Sequence, residues 1–247
     1  MKSLISAMTL IVAFNVAPAP AHADRRSFTE TYEFATVPQG HTAIEIWHTQ
    51  ARGTWDADTP LALQNILEIE HGITDRWDAA LYQVFEQSST GDPVTSEAFH
   101  FSELKLETRY RLAERGEWPI DTLLYFEVAK EFDESVYELE GKVIGARDFD
   151  KLTVAANAIV EVKVGKDAEE TEPEFGWAIG ATYEVHPKLR IGAETYGAIE
   201  EEEVAAAVGP AISVAPASNF WFAATAAFGL GDEAEAFRGR IILGIEL

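Results

Sequence analysis

The chain has 247 residues, no cysteine, and 42 acidic against 19 basic residues, for a formal charge of −23. The absence of cysteine excludes a disulfide framework and a lipid-anchored cysteine. The acidic balance excludes nucleic acid as a partner, because such a surface repels a phosphate backbone.

Residues 1–23 read as a secretory signal. Lys2 supplies the positive start, 4–16 form a short apolar run, and Ala21-His22-Ala23 is an A-x-A cleavage site. The run is too short to cross a bilayer as a helix, and no later segment has 18 uncharged apolar residues, so no helical membrane span is expected. Cleavage removes one lysine and no acid, which leaves the mature chain one unit more negative. Residues 24–40 show no strand periodicity and read as an exposed lead-in.

From there a period of two dominates. Twelve strand candidates follow in order: 42–51, 61–72, 76–87, 99–113, 122–132, 135–146, 150–164, 174–186, 188–199, 204–215, 219–229 and 237–247. The clearest lies within the fourth, where Glu103, Lys105, Glu107, Arg109 and Arg111 alternate with Leu104, Leu106, Thr108, Tyr110 and Leu112. Alternation of this kind marks a strand with two unlike faces. The same reading sets Tyr137, Leu139, Gly141 and Val143 against Glu138, Glu140 and Lys142. It sets Phe175, Trp177, Ile179, Ala181, Tyr183 and Val185 against Gly176, Gly180, Thr182 and Glu184. In the last candidate Ile241, Leu243, Ile245 and Leu247 oppose Arg240, Gly244 and Glu246. Candidates 76–87 and 204–229 contrast too little for their faces to be assigned.

Most candidates have the length a tilted membrane-crossing strand needs, and only a closed barrel satisfies strand backbone groups in lipid. The expected fold is therefore all-β: an antiparallel, up-and-down transmembrane β-barrel of about twelve strands in residues 41–247. The apolar faces would meet lipid, with Trp77, Tyr110, Phe175, Trp177, Tyr183 and Phe220 near strand ends as interfacial girdles. Short links (72–76, 115–121, 147–150, 186–188, 215–219) alternate with mostly longer, acidic ones (around Asp56 and Asp58, 87–98, 166–174, 200–203, 229–236), 130–135 being short. Short periplasmic turns and longer outward loops give that asymmetry, place both termini on the periplasmic side, and make 24–40 a periplasmic lead-in. A secreted β-sandwich or lipocalin-like barrel would explain alternation and export, but less well the asymmetry of the links.

With its signal ending Ala21-His22-Ala23, the strand–turn–strand unit Gly72-Ile73-Thr74-Asp75-Arg76-Trp77, the similar unit at 183–191 and the final strand at 240–247, the chain resembles bacterial outer-membrane β-barrel proteins of the porin or transporter-like kind. The resemblance implies passive passage of small solutes through a Gram-negative outer membrane. It implies contact with outer-membrane lipid and lipopolysaccharide, and assembly by the barrel-assembly machinery. Such proteins usually end on Phe or Trp, whereas this one ends on Leu247. Within the class the chain looks similar to transporter-like barrels linked to uptake of aromatic compounds.

The lumen-lining candidates are Glu103, Lys105, Glu107, Arg109, Arg111, Glu127, Glu131, Glu138, Glu140, Lys142, Glu161, Lys163, Glu184, Arg190, Glu194, Arg240 and Glu246. They form either a polar pore, cation-preferring because acids outnumber bases, or cross-strand ladders that close the interior. His100 and Ser102 are weak catalytic candidates. Outer-membrane lipid hydrolases carry a His-x-Ser pair on the lipid-facing side, and here both share parity with Leu104 and Leu106. The acid Glu114 lies at the far end of that strand, out of reach of His100, and Glu103-Leu104 replace the residues that follow the serine in those enzymes. The loop acids Glu169, Glu170, Glu172, Glu174 and Glu200 to Glu203 read as a solvated charge run. No metal-ligand spacing, cofactor motif or phosphate cradle is present, so no metal or cofactor is expected.

Overall fold

The computed structural model describes residues 25–56, 59–89, 98–132, 135–166, 168, 173–200, 203–231 and 233–247. The expected signal and its cleavage site lie outside these residues, as do Glu169, Glu170, Glu172, Glu201 and Glu202 of the acidic loops. Twelve strands follow one another: β1 (Thr42–Arg52), β2 (Leu61–Thr74), β3 (Trp77–Ser89), β4 (His100–Arg111), β5 (Asp121–Glu131), β6 (Val136–Phe149), β7 (Leu152–Gly165), β8 (Glu174–His186), β9 (Leu189–Glu200), β10 (Glu203–Ala217), β11 (Phe220–Gly229) and β12 (Phe237–Glu246). They overlap the twelve expected strands, with ends displaced by up to three residues. Each strand pairs with the next, and β1 pairs with β12 from Ala43↔Glu246 to Arg52↔Phe237, which closes an all-antiparallel, up-and-down barrel. Closure leaves no edge strand, the condition for a sheet to stand in lipid.

The two faces separate by parity. Trp77, Leu106, Tyr110, Phe126, Val143, Phe175, Ile179, Tyr183, Ile241 and Leu243 are exposed on the outer wall. Their strand neighbours Asp78, Glu107, Arg109, Glu127, Ile144, Ala178, Thr182, Arg240 and Ile242 are buried inside. Two aromatic belts bound the outer face. Trp77, Tyr110, Tyr183 and Phe220 sit at the end that carries the short turns, and Phe85, Phe101, Phe175 and Phe228 at the loop end. Eight or nine residues separate the members on each strand. At ~3.3 Å per residue and a tilt of ~40° this amounts to about 20 Å of height, and the rings themselves add most of the rest of a ~25 Å apolar band. At the loop end Phe101 packs on Phe85 and Phe132, and Phe228 on Trp55 and Phe237.

The lead-in departs from expectation. Residues 25–38 fold back into the barrel as a hairpin-shaped strap, with Ser27, Phe28, Thr29, Thr31, Tyr32, Phe34, Thr36 and Val37 buried. Exposure of this segment was expected because it lacks a strand period. Its mixture of hydroxyl and aromatic residues instead suits a lumen whose wall offers polar partners, and buried backbone groups must find such partners. Gly72, where the strap leaves the wall, has no room for a Cβ against the carbonyls of Val37 and Pro38.

Candidate functional site: a strapped, acidic lumen

The strap enters from the turn end. Val37 N–H donates to Asp78 Oδ2 at 2.8 Å, and Gln39 N–H to Asp75 Oδ1 at 3.2 Å. Further in, Tyr32 N–H donates to Asn157 Oδ1 (2.7 Å) while Asn157 Nδ2 donates to the Tyr32 carbonyl (2.9 Å), so one wall amide substitutes for a strand partner. The tip, 29–31, closes on Glu194. Its Oε1 accepts from Thr29 N (2.9 Å) and Thr29 Oγ1 (3.0 Å). Its Oε2 accepts from Glu30 N (3.0 Å), Thr31 N (2.9 Å) and Thr31 Oγ1 (3.1 Å). Thr225 Oγ1 also donates to Oε1. Three convergent amides make an anion-binding concavity, and Glu194, 1% exposed, is the anion. The chain then returns to the turn end, where Arg25 donates to Ser213 Oγ (2.8 Å) and to the Pro187 carbonyl (3.2 Å). The two limbs are tied by Ser27 N–H to Glu33 Oε2 at 2.6 Å.

Arg26 projects from the strap toward β1 and β2. Its guanidinium lies 3.1 Å from Glu45 Oε2 and 3.6 Å from Glu68 Oε2. It also sits between two rings, 4.6 Å from the centroid of Tyr32 and 4.7 Å from that of Trp47. Arg240 approaches Trp47 as well, at 5.3 Å, and is held by Thr49 (2.8 Å) and by Glu30 of the strap (2.9 Å). On the facing wall Arg109 forms a fork with Asp78 (Nε–Oδ1 3.1 Å, Nη2–Oδ2 2.8 Å), pairs with Glu107 at 3.1 Å and contacts Glu70. Tyr82 donates to Glu107, whose carboxylate is also 3.5 Å from Tyr32 Oη.

A row of carboxylates crosses five strands. Glu107 opposes Glu127, Glu127 opposes Glu140, Glu140 opposes Glu161, and Glu161 opposes Glu174. Barrel strands are tilted, so a row of direct partners climbs the wall. This one runs from the buried Glu107 beside Tyr32 to Glu174 at the loop end of β8. Like charges placed opposite one another repel. Lysines interleave: Lys105 lies 3.2 Å from Glu127 and 3.3 Å from Glu103, and Lys142 lies 2.9 Å from Glu140. Lys163 lies 3.9 Å from Glu138. Lys142 also sits over the rings of Tyr32 and Tyr125, at 4.5 and 4.3 Å.

Among the other expected lumen residues, Glu184 is 4.0 Å from Arg190, which donates to Ser27 Oγ at 2.9 Å. Arg111 lies 5.5 Å from the Phe34 ring, and Glu246 pairs with His41 at 2.6 Å at the turn end. Glu131 opposes Glu103. Sequence reasoning passed over Glu45, Glu68, Glu70 and Asp78, all buried inside. The pattern Ile44-Glu45-Ile46 and Leu67-Glu68-Ile69-Glu70 carried the same alternation and would have disclosed three of them. Nothing in the sequence disclosed the inward path of Arg26 and Tyr32.

Two cavities flank the strap. One of about 630 Å³ opens at the turn end, among Phe34, Arg115, Glu184, Arg190 and Trp221. One of about 420 Å³ lies at the loop end, among Glu30, Glu140, Lys142, Glu161 and Tyr196. The strap lines both, with Glu33, Phe34 and Ala35 at the first and Glu30 at the second.

The two weak catalytic candidates, His100 and Ser102, do not share the lipid-facing parity expected of them. Register shifts between Val84 and Phe85, with Glu103 opposite Val84 and Phe101 opposite Phe85. Ser102 is thus the extra residue of a β-bulge. Phe101, not His100, takes the outward place beside Phe85, and the parity expected of His100 and Ser102 with Leu104 is broken. Ser102 Oγ donates to the Val84 carbonyl at 3.3 Å, and His100 Nδ1 lies 3.1 Å from the Ala98 carbonyl. Glu114 pairs with Arg76 at 2.6 Å, at the other end of the barrel.

No family model matches the chain, and no curated protein matches it in sequence. Its structure is similar to that of an outer membrane channel from Pseudomonas putida F1, with a TM-score of 0.69 at 12% identity, covering 89% of this chain and all (100%) of that one. It is also similar to the KdgM porin (TM-score 0.58, 11% identity, 82% and 98% covered), a protein also seen in complex with disordered oligogalacturonate. A third similar structure is the NanC porin (0.57, 10%, 83% and 100%). The chain has the fold of bacterial outer-membrane channels.

Proposed function

We propose that this barrel stands in the outer membrane of a Gram-negative cell and conducts small polar or amphiphilic solutes, cations in preference to anions, with residues 25–38 as its closure. The observation that carries this reading is the carboxylate row. It leads from the loop-end cavity down to the strap, with a second cavity waiting on the other side. A ring or row of carboxylates concentrates cations and repels anions. An acidic oligosaccharide such as the one seen with the KdgM porin would be repelled by the same wall. The fold shared with outer-membrane channels and the paired aromatic belts support the location.

The test is planar-bilayer recording of the unaltered barrel and of one lacking residues 25–38. The expectation is rare, small openings for the first and stable cation-selective steps for the second. A reversal potential favouring anions would defeat the cation preference. Silence from both folded barrels would defeat the channel reading and favour a closed structural or adhesive barrel. Ester hydrolysis lost on Ser102→Ala would revive the lipid hydrolase, which the bulge at Ser102 does not favour.

A further inference from the structure

We propose that Glu45, Glu68 and Trp47 form a binding site for a solute bearing a guanidinium group, and that Arg26 of the strap occupies this site as a tethered stand-in. The role of the site in passage rests on the channel reading above; the site itself belongs to the barrel wall.

The wall supplies what a planar cation needs. Glu45 and Glu68 are direct cross-strand partners on β1 and β2, with both carboxylates buried. Two carboxylates in that position are tolerated only with a cation beside them or a proton shared between them. Trp47 presents its ring face 4.7 Å from the Arg26 guanidinium carbon, and its Nε1 donates to Glu45 Oε2 at 2.9 Å, which fixes that carboxylate. Two carboxylates beside an aromatic face match a guanidinium in charge, shape and stacking. When the strap leaves, Tyr32 leaves with it, but Glu45, Trp47 and Glu68 stay.

Arg26 fills the site imperfectly. Glu68 is 0% exposed, yet no N–H or O–H donor among the described residues reaches either of its carboxylate oxygens in hydrogen-bond geometry. The Arg26 Nη2 that faces it at 3.6 Å donates no hydrogen bond either. A fork-to-fork pair would place two donors on Glu68, and the strap backbone holds the guanidinium short of that geometry. A tethered ligand needs no optimal fit, because its effective concentration is on the order of millimolar for a short linker. A free guanidinium able to square up to Glu68 would compete at similar concentrations.

The test compares two probes of the same shape: argininamide, which is charged at the guanidinium, and citrullinamide, whose ureido group is neutral there. Neither has a free carboxylate for the lumen to repel. Equilibrium binding is measured on the mature barrel in liposomes, with heat-modifiable migration as the check of folding. Arg26→Ala should bind argininamide at least tenfold more tightly than citrullinamide, and more tightly than the unaltered chain does. Adding Glu68→Gln should remove most of that preference. If Arg26→Ala does not fold, Arg26→Gln takes its place. In the unaltered chain, bathing argininamide should raise the open fraction several-fold, and citrullinamide should not. Equal binding of the two probes, or a preference that survives Glu68→Gln, overturns the proposal. A conducting barrel that binds both probes alike defeats the site alone. A folded barrel without its strap that never conducts defeats the channel reading, while the binding comparison still decides the site.

Discussion

Glu194 holds the strap, because it gathers the three amides and two hydroxyls of the tip onto one buried carboxylate. Hydrogen bonds to a charged group contribute about 1.5–3 kcal/mol each. An amide in its place would turn an N–H toward the donors it must satisfy. Glu194→Gln should therefore weaken the latch by about 3 kcal/mol, enough to raise the open fraction roughly 100-fold, as single-channel recording would report. Gly180 tests the same latch without any change of charge. A Cβ there would run into the ring of Phe28, which is buried at 1% exposure and has no room to retreat. Overpacking of this kind costs about 1–3 kcal/mol. Gly180→Val should loosen the strap in the same assay while cation selectivity is kept. An unchanged open fraction would mean that the Phe28 seat contributes nothing to closure.

At the scale of the strand, legibility followed contrast between faces. β4, β6, β7, β8 and β12 alternate charge or polarity against bulk, and their inward residues were named from the sequence. β10 sets alanine, glycine and serine against valine and isoleucine, and β11 sets alanine against alanine: Ala207, Ala211, Ala223 and Ala227 are buried while Ala224 and Ala226 face outward. Such pairs carry no polarity signal, so their faces emerge only from closure. The same seam is interrupted. Val208 pairs with Phe228 and Ala211 with Thr225, but Gly209 and Pro210 have no partners on β11 in the register. Proline cannot donate to a ladder, and glycine in a strand marks a close backbone approach. Fewer hydrogen bonds and small side chains make this the weakest part of the wall. Amides of Ala226 and Ala227 should exchange with deuterium faster than those in the uninterrupted β6–β7 pairing. Equal protection along both seams would show that packing makes up for the missing bonds. The misjudged element was the bulge at Ser102. One extra residue in β4 moves His100 off the lipid-facing parity, and no feature of His100-Phe101-Ser102 announces it.

For the whole molecule, the strap and the wall neutralise each other. Arg26 stands between Glu45 and Glu68, and Glu30 reaches Arg240. Removing residues 25–38 leaves Glu45 facing Glu68 and takes Tyr32 from beside Lys142 and Glu107. The barrel without its strap should convert to its unfolded form at a lower temperature in heat-modification gels. The deficit should shrink as salt rises toward 1 M, where the screening length falls to ~3 Å. A deficit independent of salt would assign the loss to packing of Phe28 and Phe34 instead.

The barrel was legible in the chain alone. Alternation is a local property, each strand carries its own two faces, and twelve such segments joined by alternating short and long links close in only one simple way. Glu107, Arg109, Glu127 and Glu140 take their inward places by the same parity, and so do Glu45, Glu68 and Glu70, which the reading of the chain passed over. The path of residues 25–38 emerged only on folding, because their partners — Glu45, Asp78, Asn157, Glu194 and Arg240 — lie on five different strands and up to 210 residues away along the chain. A segment without regular hydrogen bonding has no period to read. It is placed by the polar groups that a closed barrel brings to one interior, and those exist as a site only once β1 has met β12.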